Sequence, residues 1–223
     1  QDLKDSFQRI ILLAKTGNVD LLLISGDLFE HEYVKKSTIS FINDMFNEIS
    51  RVDIFIVPGN HDPYVANSFY RSNKWPQNVH ILTSDKPYHI LQDRNVCLHG
   101  IGFKSFSEEK SLIHGLKPAD SKFINILLMH GTVDMSIGQS AYNPMSVDEL
   151  SALGMDYIAL GHFHNRIDNI GAKGVIFNPG SPEPLGFDEP GEHGVLLGTI
   201  RKEFPEKSFL ETRFVRLNQR QYI

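Results

Sequence analysis

Four short apolar runs in this sequence each end in a glycine beside a polar side chain, and this pattern constrains the fold more than any other feature. The polar residues at the four ends are Asp27 after Leu21–Ile24, Asn60, His61 and Asp62 after Ile54–Val57, His130 after Ile124–Met129, and His162 and His164 after Tyr157–Leu160. Apolar runs of this length, bounded by glycine or proline, are typical of buried strands. Ligands bind at the carboxyl ends of strands in α/β sheets. We therefore expect the four strand ends to converge on one site.

Two predicted helices flank the first of these strands, one before it and one between it and the next strand. Apolar residues recur on one helical face over residues 2–16 and again over 37–50, and the order of strand, loop, helix and strand predicts a parallel or mixed sheet. Residues 107–116 are either a short helix or a loop. The capping box Ser146-Val-Asp-Glu149 predicts that a short helix begins there.

Strands follow one another in the rest of the chain. The further strands that we expect are Val79–Leu82, Val96–His99, Val175–Phe177, Gly194–Ile200 and Leu210–Leu217. Strands and helices in this order predict an α/β fold of two mixed β-sheets packed face to face, with helices outside.

Composition is that of an ordinary globular chain and indicates one domain over residues 1–223. Of its 223 residues, 41% are hydrophobic, and no linker or internal repeat divides them. The single cysteine, Cys97, excludes an intrachain disulfide and fits a cytoplasmic location. The sequence has no apolar run of about 18 residues, the length that would predict a membrane span. The net charge of −5 is not the basic overall charge that is typical of nucleic-acid-binding proteins.

The side chains at the strand ends form a mixed oxygen and nitrogen donor set without thiolates. Such a set suits Mn²⁺, and also Fe or Zn²⁺. One aspartate can bridge two ions about 3.5–4 Å apart, which is the spacing of two-metal phosphoryl-transfer sites. Taken singly, each residue has a plainer explanation: Asp27 and Asn60 as turn formers, and His130 as a packing histidine. The joint placement at equivalent strand ends favours a metal site. Most of the histidines without this placement are interpreted as surface or packing residues; the set is His31, His80, His89, His99, His114 and His193.

The motifs resemble those of the calcineurin-like metallophosphoesterases. The motifs that carry the resemblance are Gly26-Asp27, Gly59-Asn60-His61-Asp62, His130-Gly131 and Gly161-His162-x-His164, in this order. Their flanks, Ser25–Phe29, Val57–Asp62 and Asn178–Pro182, resemble the DNA-repair exonuclease branch, which includes SbcD-type nucleases, their archaeal and eukaryotic double-strand-break repair relatives, and YhaO-like proteins. The resemblance implies a four-layer αββα metallophosphoesterase sandwich with two divalent metal ions.

The resemblance also implies a role for each site residue. Asp27 would bridge both metals, Asn60, His130 and His162 would complete one metal site, and His164 would serve the other. His61 would be the acid that protonates the leaving oxygen, or a group that stabilises charge on the phosphate, with Asp62 orienting its ring. The substrate-binding candidates are Glu30, His31 and Ser181.

Two departures from the family pattern shape further expectations. The Asp-x-His motif of the family's first strand does not occur before Asp27, and Gln1 falls within a helical pattern. We therefore expect that strand to lie upstream of Gln1. Glu30 stands where many nucleases of this branch have histidine. The resemblance further implies a coiled-coil ATPase partner and a homodimer, whereas the cap domain usual in this branch is not visible in the sequence.

The leading functional hypothesis is a metal-dependent phosphodiesterase, a DNA-repair exonuclease that hydrolyses DNA by two-metal catalysis. The first alternative is a phosphoesterase of the same fold that acts on a nucleotide, a cyclic nucleotide or a phosphoprotein. The second alternative is a non-catalytic scaffold with an incomplete metal site.

Overall fold

The computed structural model describes residues 2–134, 142–203 and 207–222. Its helices in these ranges are α1 (Asp2–Thr16), α2 (Lys36–Glu48), α3 (Phe69–Ser72) and α4 (Val147–Ala152). Its strands are β1 (Leu21–Ile24), β2 (Asp53–Ile56), β3 (Val79–Ile81), β4 (Tyr88–Leu91), β5 (Val96–Gly100), β6 (Ile124–His130), β7 (Tyr157–Gly161), β8 (Ile167–Ile170), β9 (Ile176–Asn178), β10 (Gly194–Glu203) and β11 (Lys207–Arg216). None of the described helices has the length and apolar character that crossing a lipid bilayer requires.

The described strands form a three-stranded sheet, a six-stranded sheet and a hairpin. Their orders are β1-β2-β3, β4-β5-β6-β7-β9-β8 and β10-β11. The three-stranded sheet is parallel, whereas β4 and β8 run antiparallel at the two edges of the six-stranded sheet.

Strand register decides where the site residues lie. Ile24 at the end of β1 is opposite Ile56 at the end of β2. In the other sheet His130 at the end of β6 is opposite Gly161 at the end of β7. Parallel strands bring their carboxyl ends to one edge of a sheet, so the loops that follow each pair lie side by side.

Three apolar clusters separate four layers. The helices α1 and α2 cover the outer face of the first sheet, where Ile11, Ile39, Phe46, Ile54 and Ile56 are buried together. This packing follows from the apolar faces that the sequence predicts for both helices. Burial of such a face supplies most of the stability of a helix in a protein.

The second cluster fills the space between the two sheets. Phe55 of the first sheet and Val57, which directly follows β2, pack there with Leu98, Leu128 and Ala159 of the second sheet. Along each strand the neighbouring residues point the other way, as the alternation of side chains in a strand requires. The two sheets therefore pack face to face.

The third cluster covers the outer face of the six-stranded sheet. Leu127, Met129 and Ile158 pack there with Leu150 of α4. The expected capping box begins α4, because the Glu149 amide donates to Ser146 Oγ at 3.1 Å and the Ser146 amide donates to Glu149 Oε2 at 2.9 Å. The four-layer αββα arrangement predicted from the sequence is thus confirmed.

Of the two alternatives for residues 107–116, the structure has the loop. Three elements were not predicted: α3, β4 and β8. The strand β8 has apolar residues only at its two ends, and β4 begins directly after Pro87. Both are edge strands, which pair on one side only, so neither needs the continuous apolar run of a central strand.

Candidate metal centre

The loop after β1 turns sharply to present Asp27. Gly26 and Asp27 both adopt positive φ, at 92° and 54°. Such a conformation is unusual for aspartate, and strained residues of this kind persist where the surroundings hold them in place. His162, after β7, also has a positive φ of 95°. Local backbone strain therefore accompanies two of the expected metal ligands.

Asp62 holds this loop against the loop after β2. Its carboxylate is fully buried. Oδ1 accepts from the amides of Gly59 at 2.7 Å and Asp27 at 3.1 Å, while Oδ2 accepts from the Leu28 amide at 2.7 Å and the Tyr70 hydroxyl at 2.6 Å. Burial and the charge of Asp27 raise the pKa of Asp62, and these hydrogen bonds oppose that rise. The two site loops are thereby joined through one carboxylate.

The loops of the two sheets bring oxygen and nitrogen atoms together. His130 Nε2 lies 2.9 Å from Asn60 Oδ1 and 3.2 Å from Asp27 Oδ2. His162 Nδ1 lies 3.1 Å from the same Asn60 oxygen and 3.3 Å from His130 Nε2. One atom from each of Asp27, His130 and His162 lies within 4.8 Å of the others. The expected convergence of the four strand ends is therefore present for these four residues.

The donor atoms of this cluster suit a cation. The Nδ1–H of His130 donates to the Ser25 carbonyl at 2.8 Å, so Nε2 is the ring nitrogen that faces the site. Nε2 lies beside the oxygens of Asn60 and Asp27, which can only accept. A cation between such acceptors receives ligand bonds of about 2.0–2.2 Å from nitrogen and oxygen. The residues present therefore fit a divalent metal ion.

Electrostatics keep the ligands in the forms that bind metals. Burial would raise the pKa of Asp27, but its hydrogen bond and charge interaction with His130, with help from the His61 amide, lower that pKa overall. Burial and the neighbouring His130 lower the pKa of His162 to about 4. Asp27 is therefore ionised and His162 is neutral near pH 7, as metal ligation requires.

Glycine is required where the two halves of the site meet. A Cβ on Gly59 would collide with the Asp27 carboxylate of the same sheet and with the His130 ring of the other, and a Cβ on Gly161 would collide with the Ser25 carbonyl oxygen. The glycines beside the polar residues thus permit close approach of one sheet's loops to those of the other.

His61 has a different partner from the one expected. Its Nδ1 lies 2.6 Å from Glu30 Oε2, and its side chain is 55% exposed. Asp62, which we expected to orient this ring, instead uses both oxygens on backbone amides and Tyr70. Burial alone would lower the pKa of His61, but the hydrogen bond to Glu30 and the charge of Asp27 raise it overall. Glu30 therefore orients His61 and favours its protonated form.

His164 lies beside the group formed by Asp27, His130 and His162 and is not a member of it. Its Nδ1 is 2.5 Å from Glu189 Oε1. Burial would raise the pKa of Glu189, but hydrogen bonds from His164 and the Leu185 amide outweigh burial and lower that pKa. The expected role of His164 at the other metal, the one not held by Asn60, His130 and His162, stays a prediction.

The three substrate-binding candidates occupy different settings. Glu30 is bound to His61, as described above. The His31 amide donates to the His61 carbonyl at 2.9 Å, and the His31 ring packs against Phe106. The Ser181 hydroxyl donates to Glu189 Oε2 at 2.9 Å and lies 2.9 Å from His193 Nδ1. Ser181 thus serves the surroundings of His164, and its hydroxyl proton is not free for a substrate.

Sequence reasoning missed Tyr70, Glu189 and His193 as members of the site. His193 is 3% exposed and contacts the residues around His164, although its sequence context suggested an ordinary packing histidine. Glu189 lies 25 positions from His164, which leaves no local signal of their contact. The signal in the sequence that could have indicated Glu189 is its place as an acidic residue in the proline-rich segment 182–190, next to the Asn178–Pro182 motif.

Several known proteins resemble this chain in sequence. The metallophosphoesterase YhaO of Bacillus subtilis is 28% identical over 211 residues, which cover 89% of this chain and 51% of that protein. The DNA double-strand break repair protein Mre11 of Methanopyrus kandleri is 27% identical over 246 residues, covering 95% of this chain and 51% of Mre11. The SbcD component of the nuclease SbcCD from Staphylococcus epidermidis is 22% identical over 177 residues, covering 66% of this chain and 46% of SbcD. The chain spans about half the length of these relatives.

A solved structure supports the fold. The crystal structure of TT1561 from Thermus thermophilus superposes with a TM-score of 0.53 over 95% of this chain and 93% of that chain, at 12% sequence identity. The relatives in sequence come from the groups to which the motifs around Asp27 and Asn60 pointed. Residues 1–166 match the calcineurin-like phosphoesterase family. With the matching fold and the convergent donor set, this match shows that the chain belongs to the calcineurin-like phosphoesterase family.

Proposed function

We propose that residues 1–223 form the catalytic domain of a metal-dependent phosphodiesterase that degrades DNA from its ends. The observation that carries the proposal is the convergence of Asp27, Asn60, His130 and His162 from two sheets. Similarity to Mre11 and to SbcD favours DNA over other phosphoesters. The location that suits this function is the cytoplasm.

The residues of the site divide the work of hydrolysis. One divalent ion would be held by Asp27, Asn60, His130 and His162. A second ion would be bound in part by Asp27 and His164. The ions, when bound, would supply charge neutralisation at the phosphate and a lowered pKa for the attacking water. Mn²⁺ is the metal that we propose, since the mixed donor set suits it, and Fe and Zn²⁺ are the alternatives.

His61 is the group that we propose as the acid. Its Nδ1 is occupied by Glu30, so Nε2 is the atom available to donate a proton to the leaving oxygen. Asp62 acts indirectly, because it fixes the loops that carry Asp27 and His61. This division explains why one buried carboxylate and one half-exposed histidine stand next to each other in the sequence.

The test is hydrolysis of linear DNA in the presence of Mn²⁺. We expect nucleotides to be released from linear DNA, with a covalently closed circle of the same sequence left intact. A coiled-coil ATPase is the partner that we propose, in a homodimeric assembly, so the assay is run with and without such a partner. Cleavage of a small chromogenic diester without cleavage of DNA in either assay would overturn the nuclease assignment.

A second candidate function is hydrolysis of a small phosphoester, such as a nucleotide or a cyclic nucleotide, or of a phosphoprotein. The net charge of −5 favours it, because an acidic protein repels the DNA backbone. A panel of chromogenic monoesters and diesters separates the two candidates. A non-catalytic scaffold is the third candidate, and two tightly bound ions per chain in metal analysis would exclude it.

A further inference from the structure

A buried carboxylate lies directly behind His164. Glu189 is 6% exposed, and its Oε1 accepts a hydrogen bond from His164 Nδ1 at 2.5 Å. The His164 side chain is about half exposed, so its other nitrogen, Nε2, remains available. The metal-ligand candidate thus has one nitrogen bound to the protein interior and one without a hydrogen-bond partner among the described residues.

The Glu189 carboxylate is itself held on its other oxygen. Oε2 accepts from the Ser181 hydroxyl at 2.9 Å and from the Leu185 amide at 3.1 Å. These bonds leave the carboxylate little freedom to rotate. A group fixed in this way can impose its own orientation on the ring that it contacts.

His193 fixes the segment that carries Glu189. It is buried, and its Nε2–H donates to the Glu189 carbonyl at 3.1 Å, while its Nδ1 lies 2.9 Å from Ser181 Oγ. The Ser181 amide in turn donates to the His164 carbonyl at 3.0 Å. Side chains and backbone therefore form a closed network from His193 to His164.

We propose that Glu189 is a positioning residue of the metal centre: it holds His164 as the tautomer with the proton on Nδ1, so that Nε2 is the atom that binds metal. The proposal rests on the proposed function, which assigns His164 to a metal ion. A carboxylate that accepts from the far nitrogen of a histidine fixes the ring and increases its basicity as a ligand.

His130 offers an internal comparison. Its Nδ1–H donates to a backbone carbonyl, that of Ser25, at 2.8 Å. Both histidines thus have Nδ1 tied down, one by a neutral acceptor and one by a charged one. Hydrogen bonds to a charged partner are roughly twice as strong as neutral ones. His164 is also far more exposed than His130.

The first measurement is the tautomer of His164 in the metal-free protein, by long-range ¹H–¹⁵N NMR. Wild-type protein should show the proton on Nδ1. Glu189→Met, which keeps most of the side-chain volume, should give a mixture with the Nε2–H form. Glu189→Gln keeps an acceptor and should largely retain the wild-type tautomer. This readout does not depend on activity or on bound metal.

The second measurement is Mn²⁺ binding by titration calorimetry. Glu189→Met should weaken one of two sites about 10–100-fold and leave the other unchanged. Glu189→Gln should lie between Glu189→Met and wild type. The matched control is Glu192→Gln, since Glu192 is in the same segment, is 57% exposed and is 3.9 Å from Arg216. This control should bind Mn²⁺ as wild type does.

The outcomes separate the two proposals. A folded Glu189→Met protein with the wild-type tautomer and wild-type Mn²⁺ affinity would overturn the role of Glu189. Glu189→Ala, which opens the pocket to water, is measured beside it so that a single misfolded variant does not decide the result. If wild-type protein binds no Mn²⁺, the proposed function fails, and the tautomer experiment still reports whether Glu189 holds His164.

Discussion

At the scale of the residue, three carboxylates of similar chemistry do three different things because their neighbours differ. Asp27 faces the imidazole nitrogens and is held ionised. Asp62 faces backbone amides and is a connector of loops. Glu30 faces His61 at the half-exposed rim. The role of each carboxylate therefore follows from what its oxygens contact rather than from its position in a motif.

The role of His61 as a proton donor predicts the effect of His61→Gln. We expect kcat to fall about 10²–10⁴-fold, because a positioned acid contributes that much to the rate. Metal content should stay near that of wild type, since the His61 ring contacts Glu30 and lies outside the group of metal-ligand candidates. Steady-state kinetics and elemental analysis of the same preparation measure both quantities.

A matched control for that substitution is His114→Gln, because His114 is exposed and distant in sequence from every site loop. It should leave both kcat and metal content unchanged. Loss of metal from His61→Gln as severe as from Asp27→Ala would show that His61 is a ligand rather than the acid.

Pairing between Glu30 and His61 predicts that their effects on the rate are not additive. Glu30→Gln keeps the shape of the side chain but loses the charge that faces Nδ1, so kcat should fall by less than in His61→Gln. The double variant should be no slower than His61→Gln alone, since residues that act as a unit share one effect. Independent, multiplying losses in the double-mutant cycle would contradict the pairing.

Residue contacts explain how far the site could be predicted. Each of four ligand candidates lies at or just after the end of an apolar strand: Asp27, Asn60, His130 and His162. Periodicity and strand order were therefore enough to predict that these residues lie together. The contacts of His61 with Glu30 and of His164 with Glu189 join residues 31 and 25 positions apart. Such contacts depend on how loops fold over one another, and no local pattern encodes them.

At the scale of the element, the same contrast separates central from edge strands. β6 and β7 have paired strands on both sides and are mostly apolar in sequence, with Asn125 the exception before His130. β4 and β8 lie at the edges of the described six-stranded sheet. Their sequences contain polar residues, so the apolar pattern that marks a strand was too weak to predict them. Edge strands tolerate polar side chains because one flank faces solvent. The strands that carry the site were predictable because they are mostly apolar, and this includes β1, which is half-buried at the edge of the described three-stranded sheet.

Glu183 joins three elements and predicts a pH-dependent stability. It is 2% exposed, and it accepts from Ser6 Oγ of α1 at 2.5 Å and from the amides of Gln219 at 3.1 Å and Arg220 at 2.9 Å. Burial raises the pKa of Glu183, but these hydrogen bonds outweigh burial and lower it overall. Replacing it by glutamine should cost about 1–3 kcal/mol of unfolding free energy at pH 7.

The sign of the pH dependence follows from the lowered pKa. The stabilisation is complete above the unfolded-state pKa, near 4.5, and is lost as the pH falls through the lower folded-state value. The difference in unfolding free energy between wild type and Glu183→Gln should therefore shrink below pH 4.5. Urea unfolding at several pH values measures it, with exposed Glu32→Gln as the control. A difference that is constant down to about pH 3 would contradict the assignment.

At the scale of the whole molecule, the metal centre lies where the two sheets meet. The first sheet supplies Asp27 and Asn60, and the second supplies His130 and His162. The apolar layer between the sheets, which includes Phe55, sets their separation. Neither sheet alone has the donor set, so a bound cation would join the two halves of the fold. Metal affinity and global stability are therefore linked.

Because of that linkage, removal of the metal should lower the thermal midpoint of unfolding. An ion that binds only the folded state adds about 2.7 kcal/mol at 100 times its dissociation constant. For a domain of this size, the thermal midpoint should rise on the order of 5–10 °C when Mn²⁺ is added to chelator-treated protein. Asp27→Asn should lose this rise, because Asp27 faces both histidines of the cluster. Calorimetric scans with and without Mn²⁺ measure the shift.

The control for general effects of charge is Asp93→Asn, since Asp93 is 73% exposed and lies outside the cluster. This variant should keep the full rise, and potassium chloride at matched ionic strength should give none. An equal rise in Asp27→Asn would mean that Mn²⁺ binds elsewhere. Because the cation joins loops from both sheets, the rise should also come with slower hydrogen exchange at His130 and Gly161, whose strands pair directly beneath the site.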